Sequence, residues 1–236
     1  MKIAWISDIH GNALALDAVL SDMKQRNVDE IVVLGDLCYR GPEPKRALDM
    51  IKQLNTHVIK GNADEWVIRG VKEKEVPDSN LRIMQEEQQW TRKQLNEEDI
   101  TYLQSLPNEV KLERNGIHFH AFHATPTSLF DVVSPDASDE MIEATFFNHS
   151  NADIYLYGHI HKAYERTING KTIINLGSVG LPFDGIKKAS YVLIELTETS
   201  IVSSHIRVSY DLEKVCQQLQ DLNYPNKEFL IDLIKS

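Results

Sequence analysis

Residues 2–12 read KIAWISDIHGN, an apolar run that stops at Asp8 and is followed closely by Gly11 and Asn12. A short run of this kind predicts a buried strand. Gly11 permits a sharp turn, and Asn12 suits the N-cap of a helix. Leu16, Leu20 and Met23 then recur at helical spacing. The pattern repeats downstream. EIVVLGD (30–36) ends at Asp36 and leads through Gly41-Pro42-Glu43-Pro44 into the helix-like ALDMIKQL (47–54), and HVIKGN (57–62) ends at Asn62. Strand, polar residue, loop and helix in succession predict a parallel sheet. In such sheets ligands bind beyond the carboxyl ends of the strands, where Asp8, Asp36 and Asn62 all fall.

Residues 64–106 are rich in Glu, Gln, Lys and Arg, with Trp66, Trp90, Leu95 and Leu103 at helical spacing, and predict two or three helices beside or over the site. From Gly116 strand signals return in GIHFHAFHA, ADIYLYGHIH, AYERTI, KTIINLGS, ASYVLIEL and SIVSSHIRVSY. These predict a second sheet, mostly antiparallel, joined by turns such as Asn169-Gly170. Residues 211–221 and 226–235 read as closing helices. No linker, low-complexity segment or repeat divides the chain, which predicts a single domain over 1–236 with a helical insertion at about 64–110.

Composition narrows the function. The hydrophobic share of 42% and charged share of 25% are those of an ordinary globular protein. The net charge of −10 argues against a protein that wraps long nucleic acid. It leaves room for a small phosphorylated ligand, because bound cations offset local negative charge. Cys38 and Cys216 form no CxxC pair, so the expectation is no disulfide scaffold and a reducing compartment. No apolar stretch is long enough for a leader core or a membrane span. The expected location is the cytoplasm, with no membrane partner.

Metal-capable side chains stand at five strand ends, in the order Asp8-x-His10, Gly35-Asp36, Gly61-Asn62, His123 and Gly158-His159-x-His161. Each alone is weak; asparagine after glycine is ordinarily a turn. Together they match a requirement of chemistry. Two divalent ions need a bridging carboxylate and several terminal N and O ligands. Asp36, in the middle of the order, is the natural bridge. Mixed imidazole and carboxylate ligands suit Mn²⁺, Fe or Zn²⁺ better than Ca²⁺ or Mg²⁺.

The series SDIHGN, GDLCYRGP, GNADEW, His123 and GHIH resembles the calcineurin-like metallophosphoesterases, and looks closest to their small bacterial branch. The resemblance implies a four-layer α/β/β/α sandwich of two packed mixed sheets flanked by helices. It implies one metal on Asp8, His10, Asp36 and His161, and a second on Asp36, Asn62, His123 and His159. A hydroxide shared by the ions would attack phosphorus in line, with Asp36, Asn62 and His123 acting through that hydroxide and the phosphate. Many relatives carry histidine after the GN asparagine, where it binds phosphate or protonates the leaving group; here that position is Ala63. A general acid contributes roughly 10²–10⁴-fold. Its absence points to phosphodiester or phosphoanhydride bonds in small, nucleotide-type molecules rather than to alkyl monoesters. The alternatives are a phosphomonoesterase or protein serine/threonine phosphatase, and a non-catalytic scaffold.

Arg40, four residues past Asp36, is a candidate phosphate contact, since guanidinium matches phosphate geometry. Trp66, Trp90, Tyr102 and Phe183 are candidates to stack on a base, although helix-spaced aromatics ordinarily belong to the core. Gly177-Ser178 and Asp184 fall in loops that resemble substrate-side loops of the family. His118 and His120 read as structural, His57, His149 and His205 as non-ligands, and Cys38 as a small buried thiol.

Overall fold

Alternation along the first strand sets the layering. In β1 (Lys2–Ile6), Ala4 and Ile6 point to one face of the sheet and Ile3 and Trp5 to the other. Both faces are buried, as expected where helices cover one side and a second sheet the other. The computed structural model describes residues 1–235. It runs β1, α1 (Ala13–Gln25), β2 (Glu30–Val33), α2 (Pro44–Leu54), β3 (His57–Val58), then α3 (Asn62–Arg69), α4 (Asp78–Lys93) and α5 (Glu97–Ser105). Next come β4 (Glu109–Arg114), β5 (Ile117–Phe122), α6 (Asp139–Thr145), β6 (Ile154–Tyr157), β7 (Tyr164–Ile168), β8 (Lys171–Asn175), β9 (Ala189–Leu196) and β10 (Ile201–Val208). Helices α7 (Leu212–Asp221) and α8 (Lys227–Lys235) close the described chain.

The strands form two five-stranded mixed sheets, ordered β10-β9-β1-β2-β3 and β4-β5-β6-β8-β7. The expected sandwich is present. Between the sheets lie Ile3, Trp5, Val32 and Leu34 from one and Phe119, Ala121, Ile154, Leu156, Ile174 and Leu176 from the other. Truncating a fully buried residue such as Trp5 to alanine costs about 3–5 kcal/mol. Helices α1 to α5 cover the outer face of the first sheet, and Ile142 of α6 and Phe146 just past its end cover Phe122, Tyr155, Tyr157 and Ile173 of the second.

Two expectations are corrected. The second sheet is not mostly antiparallel: β5, β6 and β8 run parallel, with β4 and β7 antiparallel at its edges. The hairpin β9–β10 leaves that sheet and adds to the first, with β9 antiparallel to β1. Alternation along β9 would serve either sheet, so the pattern alone does not assign it. The helical middle gives way at Glu109 to β4, whose polar EVKLER is a part-exposed edge strand with little apolar signal.

Candidate metal centre

The polar residues that end β1, β2, β3, β5 and β6 converge on one cavity. Hydrogen bonds beyond the strands bring the loops together: the Asp8 amide donates to Gly35 O (3.1 Å), the His10 amide to Asp36 O (2.9 Å), and the Gly158 amide to His123 O (2.9 Å). Asp8, His10, Asp36, His159 and His161 all have φ between 49° and 65°. That left-handed region is sparsely used by residues with a side chain, and each such residue costs about 1–3 kcal/mol unless its surroundings hold it. Five together mark a place where the fold is organised around side-chain direction. Gly61 explains the GN pair, for a Cβ there would stand 2.1 Å from Asp36 Oδ1.

The side chains form two adjoining groups. In the first, the ligand atoms of Asp8, His10, Asp36 and His161 all lie within 4.8 Å of one another. His161 Nε2 is 3.1 Å from Asp8 Oδ1, and His10 Nε2 is 3.6 Å from Asp36 Oδ2. In the second, Asn62 Oδ1 stands 2.9 Å from His123 Nε2 and 2.8 Å from His159 Nδ1. Asp36 joins the groups, its other oxygen, Oδ1, lying 3.4 Å from His123 Nε2. All seven expected ligands are brought together.

The protonation pattern shows what they can hold. His10 Nδ1 lies 2.8 Å from Tyr39 O, His161 Nδ1 2.6 Å from Leu181 O, and His123 Nδ1 2.7 Å from Leu34 O. Carbonyls only accept, so each Nδ1 carries the proton and each Nε2 turns a lone pair inward when the ring is neutral. His10 Nε2 and His161 Nε2 are then 3.0 Å apart. Two lone pairs at that distance repel, and only a cation between them, a proton or a metal ion, relieves the repulsion. Burial and then His161 push His10 down to about 4, and burial and then His123 push His159 down to about 4. Both rings are therefore neutral and ready to ligate. His123 moves the other way. Although burial opposes it, Asp36 and Asp8 raise it to about 9. Asp36 is held below the ordinary carboxylate range, against its burial, chiefly by His123 and His10. Asp8 is also lowered, with His161 the largest factor acting against burial. The donor set fits divalent metal.

Two residues that the sequence reading passed over support this arrangement. Asp64 is fully buried, and its carboxylate accepts from the amides of Asp36 (2.8 Å), Leu37 (2.9 Å) and Gly61 (2.9 Å), locking the β2 loop to the β3 loop. Its place three residues after Gly61, the capping-box position of α3, is the signal that could have found it. Glu87, fully buried on α4, places Oε2 3.2 Å from Arg40 Nε. No local pattern marks it, because the pairing spans two distant elements.

Arg40 lines a cavity of about 140 Å³ over the candidate ligands, together with Tyr39, Ala63, Trp66, Met84, Leu181 and Phe183. Phe183 stacks on His161 with ring centroids 4.3 Å apart, and remains 39% exposed. Trp90 instead packs against Tyr224, and Tyr102 packs beside Lys52, both off the cavity. Ser178 donates to Asp8 O, while Asp184 pairs with Arg207. His118 sits at the surface beside Asp153, and His120 is buried between Glu109 and Ser150. His205 Nε2 lies against Asn175 O, and His57 and His149 are exposed. Cys38 and Cys216 are free and buried, and burial pushes the Cys38 thiol well up. No helix among the described residues is long and apolar enough to cross a membrane.

Comparison with known proteins agrees with this geometry. An uncharacterized protein of Methanocaldococcus jannaschii is 32% identical over 234 residues, covering 92% of this chain and 91% of that one. The crystal structure of a metallophosphoesterase from Sphaerobacter thermophilus aligns with TM-score 0.80 at 26% identity, covering 100% of this chain and 98% of the other. A hypothetical protein from Pyrococcus horikoshii OT3 shares the fold, with TM-score 0.85 at 21% identity over 99% of this chain and 97% of its own. The family model for the calcineurin-like phosphoesterase superfamily domain matches residues 1–199, and with it the chain takes its place as a member of that superfamily.

Proposed function

We propose that the protein is a dinuclear metal-dependent phosphodiesterase acting on small, nucleotide-type phosphodiesters or phosphoanhydrides in the cytoplasm. Asp8, His10, Asp36 and His161 would hold one ion, and Asp36, Asn62, His123 and His159 the other, with Mn²⁺ favoured by the mixed N/O ligands and Fe or Zn²⁺ also suited. Two such ions supply Lewis acidity toward phosphate oxygens and an activated water at neutral pH.

The residues of the chain do the rest. Asp36 presents one oxygen to each ligand group and is fixed by the Ala63 amide, which donates to Oδ1 at 2.8 Å. Arg40, held by Glu87, contributes positive charge to the cavity wall where phosphate oxygens would lie. Trp66, Met84, Leu181 and Phe183 give the cavity an apolar lining.

The observation that carries the diesterase reading is the lack of a free proton donor. Ala63 occupies the expected acid position, and the Tyr39 hydroxyl is committed to Met84 O and Glu87, with its pKa raised far by burial. Every histidine lining the cavity belongs to the ligand set. Such a site favours leaving groups that depart without protonation. The test is hydrolysis of bis-p-nitrophenyl phosphate and of glycerol phosphate, whose alkoxide needs a proton to leave, with EDTA and with added Mn²⁺. We expect faster, Mn²⁺-dependent turnover of the diester. A preference for the monoester would reverse the reading in favour of a phosphatase.

A further inference from the structure

Beside the metal cavity lies a second recess of about 120 Å³, between the 181–187 loop and helix α8. Leu181 and Phe183 line both spaces, so the two are neighbours that share a wall, with Phe183 between them. The far wall is Tyr210, Leu233 and Ile234, and Ile186 at the rim is 44% exposed. Among the described residues that line the recess, Lys187 alone carries a charge. Tyr210, Leu233 and Ile234 lie beyond residue 199, where the match to the family domain ends. The candidate metal ligands thus lie within the matched domain, whereas this recess is completed by a C-terminal segment outside it.

We propose that the recess binds the organic ester group that stays with the phosphate, and that this group is a planar ring with hydrogen-bond acceptors, such as a nucleobase. Three features select it. The recess has the size of a single ring system, its walls are apolar and aromatic, and Lys187 offers a donor at the edge. A phosphodiester has two substituents; this places one of them beyond Phe183 while phosphorus lies over the ligands. The proposal rests on the phosphodiesterase reading above.

The test compares two diesters that release the same p-nitrophenolate, the p-nitrophenyl ester of thymidine monophosphate and methyl p-nitrophenyl phosphate, with Mn²⁺-loaded full-length protein. The expected ratio of kcat/KM favours the thymidine ester by about tenfold or more, the scale of one base-stacking contact. Ile234→Trp, which fills the recess, and Ile186→Trp, on the exposed loop, should each collapse that ratio. Should Ile234→Trp fail to fold, Ile186→Trp decides. A wild-type ratio near unity, as expected if the apolar rim seats a second copy or another protein, overturns the proposal. So does a preference that neither variant changes. Calorimetric titration with thymidine monophosphate separates this from failure of the phosphodiesterase reading. Binding weakened by the tryptophan variants in a protein that cleaves neither ester would keep the recess and sink the activity; undiminished binding would sink the recess.

Discussion

His10 Nε2 and His161 Nε2 face each other at 3.0 Å, each ring anchored through Nδ1 to a backbone carbonyl, Tyr39 O and Leu181 O. Neither imidazole can turn away without breaking a buried hydrogen bond, so in the metal-free protein a proton must stand between the two nitrogens where a metal ion would otherwise lie.

Replacing one ring should therefore weaken both states, the metal-loaded one more. His161→Ala removes the contact to His10 and the pairing with Asp8, and its metal-free form should melt lower than wild type. Wild type should gain about 2.7 kcal/mol from Mn²⁺ at one hundred times its Kd, and the variant should lose most of that gain. Calorimetric melting in EDTA and in Mn²⁺ reads both effects.

The metal-free protein should be most stable near pH 6.5. His10 and His159 are depressed to about 4, so the unfolded chain binds their protons first and stability falls as pH drops from 6.5 toward 4. His123 is raised to about 9, so its contribution is complete below 6.5 and is lost as pH rises to 9. Asp64, raised to about 7 by burial and by Asp36, offsets part of the acid-side loss and adds to the loss just above 6.5. Ligation requires neutral His123, so saturating Mn²⁺ should remove the His123 share of the alkaline decline. Denaturant midpoints across pH, with and without metal, test this.

Asp64→Asn should be destabilising by about 2–3 kcal/mol, because an amide cannot accept on both sides and one N–H donor is left buried without a partner. The same change loosens Asp36, and metal affinity should fall about 10–100-fold, the usual effect of losing a hydrogen bond that supports a ligand. Equilibrium denaturation and metal titration report the two effects separately.

Arg40→Ala leaves the buried Glu87 carboxylate without its cation, which should cost about 3 kcal/mol. Burial already raises the Glu87 pKa, so protonation limits the loss. The double variant Arg40→Ala/Glu87→Gln should recover most of the stability and none of the activity. A thermal-melt cycle on the four proteins checks the coupling.

The sequence made the site legible because each ligand stands at a strand end, and an apolar run that stops at a polar residue is a local signal. Asp8, Asp36, Asn62 and His159 are all placed that way. What remained hidden depends on distance along the chain. Glu87 reaches Arg40 from 47 residues away by numbering, and nothing near it announces the pair. The hairpin β9–β10 carries an alternation that fits either sheet, and its choice of β1 is settled by packing. The edge strand β4 has the composition of a solvated helix end, so its extended form comes from pairing with β5 rather than from its residues.

The origin of the seven ligand candidates has a mechanical consequence. Asp8, His10, Asp36 and Asn62 come from the first sheet, whereas His123, His159 and His161 come from the second. Each ligand group draws on both. The two sheets cannot slide or part without pulling each group in half, so opening for substrate falls to the roof of helices and the loop that bears Phe183, while the sandwich beneath acts as a closed vice.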